Sequence, residues 1–168
     1  MRIFIGIKFP NCLQEILKIQ EVLRVQDPYA NHTKPDNIHM TLAFLGELDA
    51  REASRVKQIL EDFRQQSFEI TLRHLRRLRD MAVLEAEPEP ELLSMQGKLE
   101  EELRKAGFQL ERRPFYPHIT LSRKTKADAK GTYEIKSTVR EIILFSSERD
   151  ERGLVYRPLY IRKLEKRE

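Results

Sequence analysis

The sequence predicts two similar lobes of strands and helices, built from a duplicated strand-helix-strand unit and facing one shared cleft. Three observations lead there. The tetrapeptide His-x-Thr-Leu occurs twice, at His39-Met40-Thr41-Leu42 and at His118-Ile119-Thr120-Leu121. With 4 His, 7 Thr and 21 Leu in 168 residues, chance supplies that pattern only about 0.02 times. Both copies sit in alternating apolar runs: Ile38, Met40, Leu42 and Phe44 in the first, Ile119 and Leu121 in the second. Residues two apart share a strand face, so each strand buries its aliphatic side and shows an imidazole beside a hydroxyl on the other. The third observation is spacing. Ile3 precedes His39 by 36 residues and Val83 precedes His118 by 35, with a strand, a proline, a helix and a loop in the same order each time, as a duplicated unit requires.

The elements follow in order. Ile3, Ile5 and Ile7 alternate as a strand, and Pro10-Asn11 opens a helix with the stripe Cys12, Ile16, Ile19 and Leu23. Asp27 to Asn37 carries the composition of a loop and delivers the chain to the first His strand, which ends near Gly46. Asp49 and Glu52 have capping-box spacing ahead of a helix with the stripe Ala53, Val56, Leu60 and Phe63, running to about Gln65. Phe68 to Leu72 alternates as a strand that passes into a basic edge or turn, and Val83 to Ala86 is a further short strand. Pro88-Glu89-Pro90 starts a helix with the stripe Leu92, Met95, Leu99, Leu103 and Ala106, which Gly107 ends. After the second His strand, Lys124 to Lys136 is expected as a mobile polar loop. Val139 to Ser146 and Leu154 to Leu164 form a hairpin whose last strand Pro158 places at an edge.

Length and composition bound the rest. The 168 residues, 40% hydrophobic, fit one domain over residues 1–168 made of two lobes. No apolar stretch approaches the ~18 residues of a membrane span and the start lacks a signal-peptide pattern, so the expected setting is the cytoplasm, with no membrane partner. The single Cys12 forms no internal disulfide and suits a helix core. Net charge is +4, with 31 Lys and Arg against 27 Asp and Glu, a balance that ordinary helix surface explains as well as a polyanionic partner does. Clustering is more informative. Arg123, Lys124, Lys126 and Lys130 directly follow the second His strand, where they could meet phosphates. Arg73, Arg76, Arg77 and Arg79 read equally as a phosphate contact or as a solvated strand edge.

Two imidazoles facing one cleft suit a reaction that removes one proton and delivers another, because a group with pKa near ~6.5 serves either role at neutral pH. Each neighbouring Thr can donate to an anionic oxygen, and with cations nearby the natural substrate is a phosphodiester. No His-x-His, His-Glu-x-x-His or cysteine cluster is present, so neither a metal nor a cofactor is expected. His32 and His74 lack partners at a telling spacing and are expected as surface residues without a role.

At these residues the chain resembles the 2H phosphoesterases, and within them the branch of RNA 2',3'-cyclic phosphodiesterases, also called 2'-5' RNA ligases. The resemblance rests on Arg2-Ile3-Phe4-Ile5-Gly6-Ile7, on Asn37 to Gly46 around the first motif, on Gly107-Phe108, and on Arg112 to Arg123 around the second. It implies an α+β fold of two lobes related by a pseudo-twofold, with antiparallel sheets lining the central cleft and helices outside. It also implies metal-free opening of 2',3'-cyclic phosphate ends of RNA or nucleotides to 2'-phosphates by a monomer. His39 would then protonate the departing 3'-oxygen and His118 would activate water, while Thr41, Thr120 and Arg123 hold the phosphate. Strict alternation puts Arg123 on the face opposite His118, so a bulge or strand end is expected to turn it into the cleft. The residues leave two alternatives: 2'-5' ligation as the reverse reaction of the same site, and an RNA-end-binding module without turnover.

Overall fold

A computed structural model describes residues 1–167. The chain runs β1 (Arg2–Ile7), a turn at Pro10–Cys12, α1 (Leu13–Gln26), β2 (Asn31–His32), a turn at Pro35–Asn37, β3 (Met40–Glu47) and α2 (Ala50–Glu61). It continues through β4 (Phe68–Leu78), β5 (Met81–Ala86), α3 (Pro90–Lys105), β6 (His118–Arg123), β7 (Gly131–Val139), β8 (Glu141–Asp150) and β9 (Gly153–Lys163). Among the described residues no helix is long and apolar enough to cross a membrane.

The main strands lie in the order β7-β4-β5-β6-β3-β1-β8-β9, and β2 pairs with β6. Every pairing between these strands is antiparallel. The order reads the same from its centre outward in both directions: β6 and β3, then β5 and β1, then β4 and β8, then β7 and β9. This is the pseudo-twofold of the duplicated unit. The joint between the halves is narrow, since Met40 and Ile119 are the one Cα-paired position between β3 and β6.

Helix stripes fill the core as their periodicity requires. Ile16, Ile19 and Leu23 of α1, Val56 and Leu60 of α2, and Leu92, Met95, Leu99 and Leu103 of α3 are buried with Ile3, Ile5, Met40 and Ile119 in one apolar cluster. The Asp49–Glu52 capping box forms as expected. Each unit's helix also reaches under the other unit's His strand. Gln20 of α1, buried, donates to the Leu121 carbonyl at 2.9 Å, and Gln96 of α3, buried, donates to the Leu42 carbonyl at 3.0 Å. These two carbonyls occupy the same position of the repeated motif.

Several expectations are corrected. α2 stops at Glu61, short of Gln65. The arginine-rich stretch follows the expectation only in part: β4 continues to Leu78, and β7 pairs with it as far as Leu75, so Arg76 and Arg77 pair with β5 alone and Arg79 lies in the turn to β5, with a register irregularity at Leu72/His74. The run after Lys124 is a short anchored connection, and β7 already begins at Gly131. There the Thr125 amide bonds the Asp80 carbonyl at 2.9 Å and the Lys126 amide bonds Asp27 Oδ2 at 2.7 Å, while Ala127 and Ala129 are buried. β1 is buried on both faces. Phe4, on the side away from the isoleucines, packs with Ile143 and Phe145 in a second small cluster.

Gly6 lets β3 approach β1 beside the first His motif. A Cβ there would sit 2.7 Å from the Met40 carbonyl oxygen and 3.5 Å from His39 Cδ2. Gly6→Ala is therefore expected to lower stability by about 1–3 kcal/mol, read by urea denaturation; an unchanged midpoint would mean the strands have room to part.

Candidate active site

The site grows out of the Met40–Ile119 pair. Both side chains are fully buried on the core face, so their chain neighbours project to the other face. Because the strands run antiparallel through that single pair, His39 lies toward the Thr120 side of it and Thr41 toward the His118 side.

The backbone fixes both rings in the same way. His39 Nδ1 lies 2.7 Å from the Asn37 carbonyl, and His118 Nδ1 lies 2.6 Å from the Tyr116 carbonyl. A carbonyl only accepts, so Nδ1 carries the proton in each neutral ring and Nε2 is left as the basic nitrogen. Thr41 Oγ1 lies 3.0 Å from His39 Nε2. The Asn37 side chain donates to the Leu154 carbonyl at 2.9 Å, tying the turn that holds His39 to β9.

Arg123 reaches the cleft through the expected bulge. Ala82 pairs with Ser122 and Val83 with Thr120, so Leu121 is extra on β6. Leu121 and Ser122 are both buried, and the alternation resumes with Arg123 on the face of His118 and Thr120. Its Nη1 lies 3.1 Å from Met81 Sδ, and its positive charge acts on His39, His118 and Tyr156. β3 repeats the device. Ile5 pairs with Ala43 and Gly6 with Thr41, so Leu42 is extra, Leu42 and Ala43 are both buried, and Phe44 comes out 38% exposed. Phe44 was expected on the buried side.

The surroundings of the two histidines differ. His39 is enclosed by Phe4, with ring centroids 5.0 Å apart, and by Tyr156 at 4.9 Å edge-on. Burial holds its pKa down to about 4, reinforced by the charges of Lys8, Arg123 and His118 against the opposing hydrogen bond to Asn37. His118 is stacked on Tyr116 at 4.4 Å. The Tyr116 hydroxyl donates to Glu85 Oε2 at 2.6 Å, and Arg76 Nε donates to Glu85 Oε1 at 2.6 Å. Glu85 is the cross-strand neighbour of His118. Burial lowers the His118 pKa as well, and Glu85 and the Tyr116 carbonyl work against that.

His39, His118, Thr41, Thr120 and Arg123 therefore share one face around the joint. Phe4, Lys8, Glu85, Tyr116 and Tyr156 were missed by sequence reasoning. Tyr116 lies two residues before His118 and could have been found by alternation; Tyr156 gives no local signal. The first arginine cluster is largely engaged: Arg73 pairs with Glu87 and lies 3.8 Å from Glu134, and Arg77 donates to the Ala127 carbonyl at 2.9 Å. His32 is not a free surface residue. It bridges Ser122 Oγ at 2.7 Å and the Asp27 carbonyl at 2.8 Å, holding β2 to β6. His74, half-buried, pairs across β4 and β5 with Glu85. Among the described residues no group of three or more His, Cys, Asp or Glu side chains is placed to hold a metal ion.

Comparison with known proteins agrees with the fold. The family model described as the 2'-5' RNA ligase superfamily matches residues 12–151. An RNA 2',3'-cyclic phosphodiesterase of Escherichia coli K12 is 30% identical over 125 residues, covering 73% of this chain and 71% of the relative. One from Archaeoglobus fulgidus is 25% identical over 177 residues, covering 96% and 99%. The crystal structure of E. coli LigT complexed with 3'-AMP superposes with a TM-score of 0.78 at 28% identity, covering 97% of both chains.

Burial of His39 couples the site to stability. Its pKa is near 6.5 when unfolded and about 4 when folded, so the unfolded chain binds the proton more readily. The contribution is fully present above pH 6.5 and is lost as pH falls toward 4, by about 3 kcal/mol at most, with His118 acting in the same direction. Urea denaturation between pH 7 and pH 4 is expected to show this loss, and His39→Gln to flatten it; equal slopes in the two proteins would contradict the burial.

Proposed function

Because this chain belongs to the 2'-5' RNA ligase superfamily, we propose that it opens the 2',3'-cyclic phosphate ends of RNA, and nucleoside 2',3'-cyclic phosphates, to 2'-phosphates. The whole chain, residues 1–168, acts as one bilobal unit, as a monomer and without a metal. The observation that carries the reading is the pair of backbone-anchored imidazoles, each with Nε2 as its basic nitrogen, beside Thr41, Thr120 and Arg123. The names of the E. coli and Archaeoglobus relatives support the substrate class. The binding of 3'-AMP by E. coli LigT supports a nucleotide in the cleft.

In this reading His118 Nε2 takes a proton from water as the water oxygen bonds to phosphorus. The bond from phosphorus to O3' breaks, and O3' takes the proton from His39 Nε2. The product is a 2'-phosphate with a free 3'-hydroxyl, and the pair is left with the proton on His118, to be returned through solvent. Thr41 and Thr120 donate to the non-bridging oxygens, and Arg123 offsets the charge that builds on them. The 5'-hydroxyl of a second RNA, in the place of water, would undergo the same two transfers and yield a 2'-5' linkage.

Protonation must come with the substrate. In the empty site burial keeps His39 neutral at pH 7, and the acid role requires it charged. The anionic phosphate supplies the difference, because a nearby negative charge favours the imidazolium. It must favour that of His39 more than that of His118, which Glu85 already assists.

The test is turnover of a nucleoside 2',3'-cyclic phosphate in excess chelator, with the product isomer resolved by chromatography. A 2'-phosphate is expected. Binding without turnover would instead support an end-binding module, and loss of turnover on chelation would point to a metal. His39→Ala and His118→Ala are each expected to cut turnover by at least ~10²-fold, and the double variant to be little worse than the worse single one. Both pKa values lie below the ordinary range in the empty site, so the pH optimum of kcat/KM is expected to be more acidic than that of kcat. Coincident optima would contradict proton uptake with the phosphate.

A further inference from the structure

The pseudo-twofold makes the two histidines equivalent, but the residues beside them on the flanking strands differ in charge. β1 flanks the first His strand and β5 the second. Ile7 of β1 pairs with Met40, and Leu84 of β5 pairs with Ile119. The next residue along the flanking strand is Lys8 in one half and Glu85 in the other. The duplicated unit thus sets a cation near His39 and a carboxylate near His118.

Both side chains are placed to act on their ring. Lys8 Nζ lies 5.8 Å from the centroid of the Phe145 ring, and the His39 ring lies 6.3 Å from the same centroid, so ammonium and imidazole share one aromatic wall. Glu85 pairs directly with His118, and the Cβ atoms of such neighbours are about 5 Å apart. Its side chain is 19% exposed, and that of its ion-pair partner Arg76 is 58% exposed, so water screens the guanidinium more than the carboxylate. Both carboxylate oxygens are held: Oε1 accepts from Arg76 and Oε2 from the hydroxyl of Tyr116, whose ring stacks on His118. The remaining groups do not oppose the two rings in this way. Arg123 disfavours a charge on both, Tyr156 packs edge-on against His39, and His74 of β4 pairs with Glu85 from the side away from His118.

We propose that Glu85 is a positioning residue that makes His118 the base, by holding the positive charge the ring acquires as it takes the proton of water, and that Lys8 at the equivalent place drives His39 to give its proton up. This rests on the phosphodiesterase reading, in which ring opening leaves His39 neutral and His118 charged. A carboxylate favours the imidazolium and an ammonium disfavours it, so the net transfer from His39 to His118 runs downhill in the field of these two side chains. The same field is why the phosphate must bring the first proton to His39. Two identical motifs are thereby given opposite tasks by one residue each.

The experiment measures turnover of a nucleoside 2',3'-cyclic phosphate at neutral pH by Glu85→Gln, in the wild-type and in the His118→Ala background, together with NMR titration of the imidazole signals. Glu85→Gln is expected to lower kcat by about 3- to 10-fold. KM is expected not to rise, because the anionic substrate meets one carboxylate fewer. The loss is expected to vanish in the His118→Ala background, since it acts through that ring. The titration of His118 is expected to move down by about one unit in Glu85→Gln, and that of His39 to move up in Lys8→Gln. An unchanged kcat, a full loss that persists without His118, or a raised KM at unaltered kcat, as a merely structural role would give, overturns the proposal. Should wild-type protein not turn over the substrate, the phosphodiesterase reading fails. The titrations then decide the charge assignment by themselves: a His118 signal that does not move in Glu85→Gln overturns it, and the expected downward shift upholds it.

Discussion

The site depends on one antiparallel register pair, Met40 with Ile119. Two copies of the same motif meet there in opposite directions, and that alone decides what lies across from what. A parallel meeting would have set His toward His; the antiparallel one sets each His toward the side of the other copy's Thr. The pair is also the joint between the halves of the sheet, and its two side chains are fully buried. Any slip of one residue would turn the His and Thr side chains into the core, so the burial that holds the halves together also fixes the geometry of the cleft.

Around that joint the fold suppresses strict alternation at two matching points. A bulge leaves a backbone carbonyl outside the strand ladder, and an unpaired buried carbonyl costs about 1–3 kcal/mol. The fold meets this with side-chain amides from helices, Gln20 under Leu121 and Gln96 under Leu42. The amides come from the opposite unit in each case, so the His strand of one unit is shaped by the helix of the other. Symmetry supplies two like sites, and the neighbours make them unlike. Phe4 and Tyr156 enclose His39, whereas Tyr116 and Glu85 attend His118.

Much of this was legible in the sequence because it is local. The His-x-Thr-Leu repeat, the 36- and 35-residue spacings, the three helix stripes and the Asp49–Glu52 capping box all lie within short windows. The bulge at Leu121 was inferred only because Arg123 needed it. The equivalent bulge at Leu42 was missed, since Phe44 looked at home in an apolar alternation. Strand order carries little local signal, so nothing around Phe68 to Leu75 announces that β7 covers that part of β4, whereas the arginines beyond it lie at an edge and a turn as their composition implies. The run after Lys124 looked mobile by composition, but its amides are held by Asp27 and Asp80 from distant parts of the chain. Tyr156 reaches His39 from a strand 117 residues later, and nothing around it in the sequence points there.

The central claim is that two like histidines divide the proton transfers at one phosphate. It is tested most directly with a nucleoside 2',3'-cyclic phosphorothiolate carrying sulfur at the 3'-bridging position. A thiolate departs without protonation, so only the acid becomes dispensable. The account predicts that His39→Ala recovers most of its lost turnover on this substrate and that His118→Ala does not. Rescue of His118→Ala alone would reverse the two roles, and equal rescue of both variants, or of neither, would contradict the division itself.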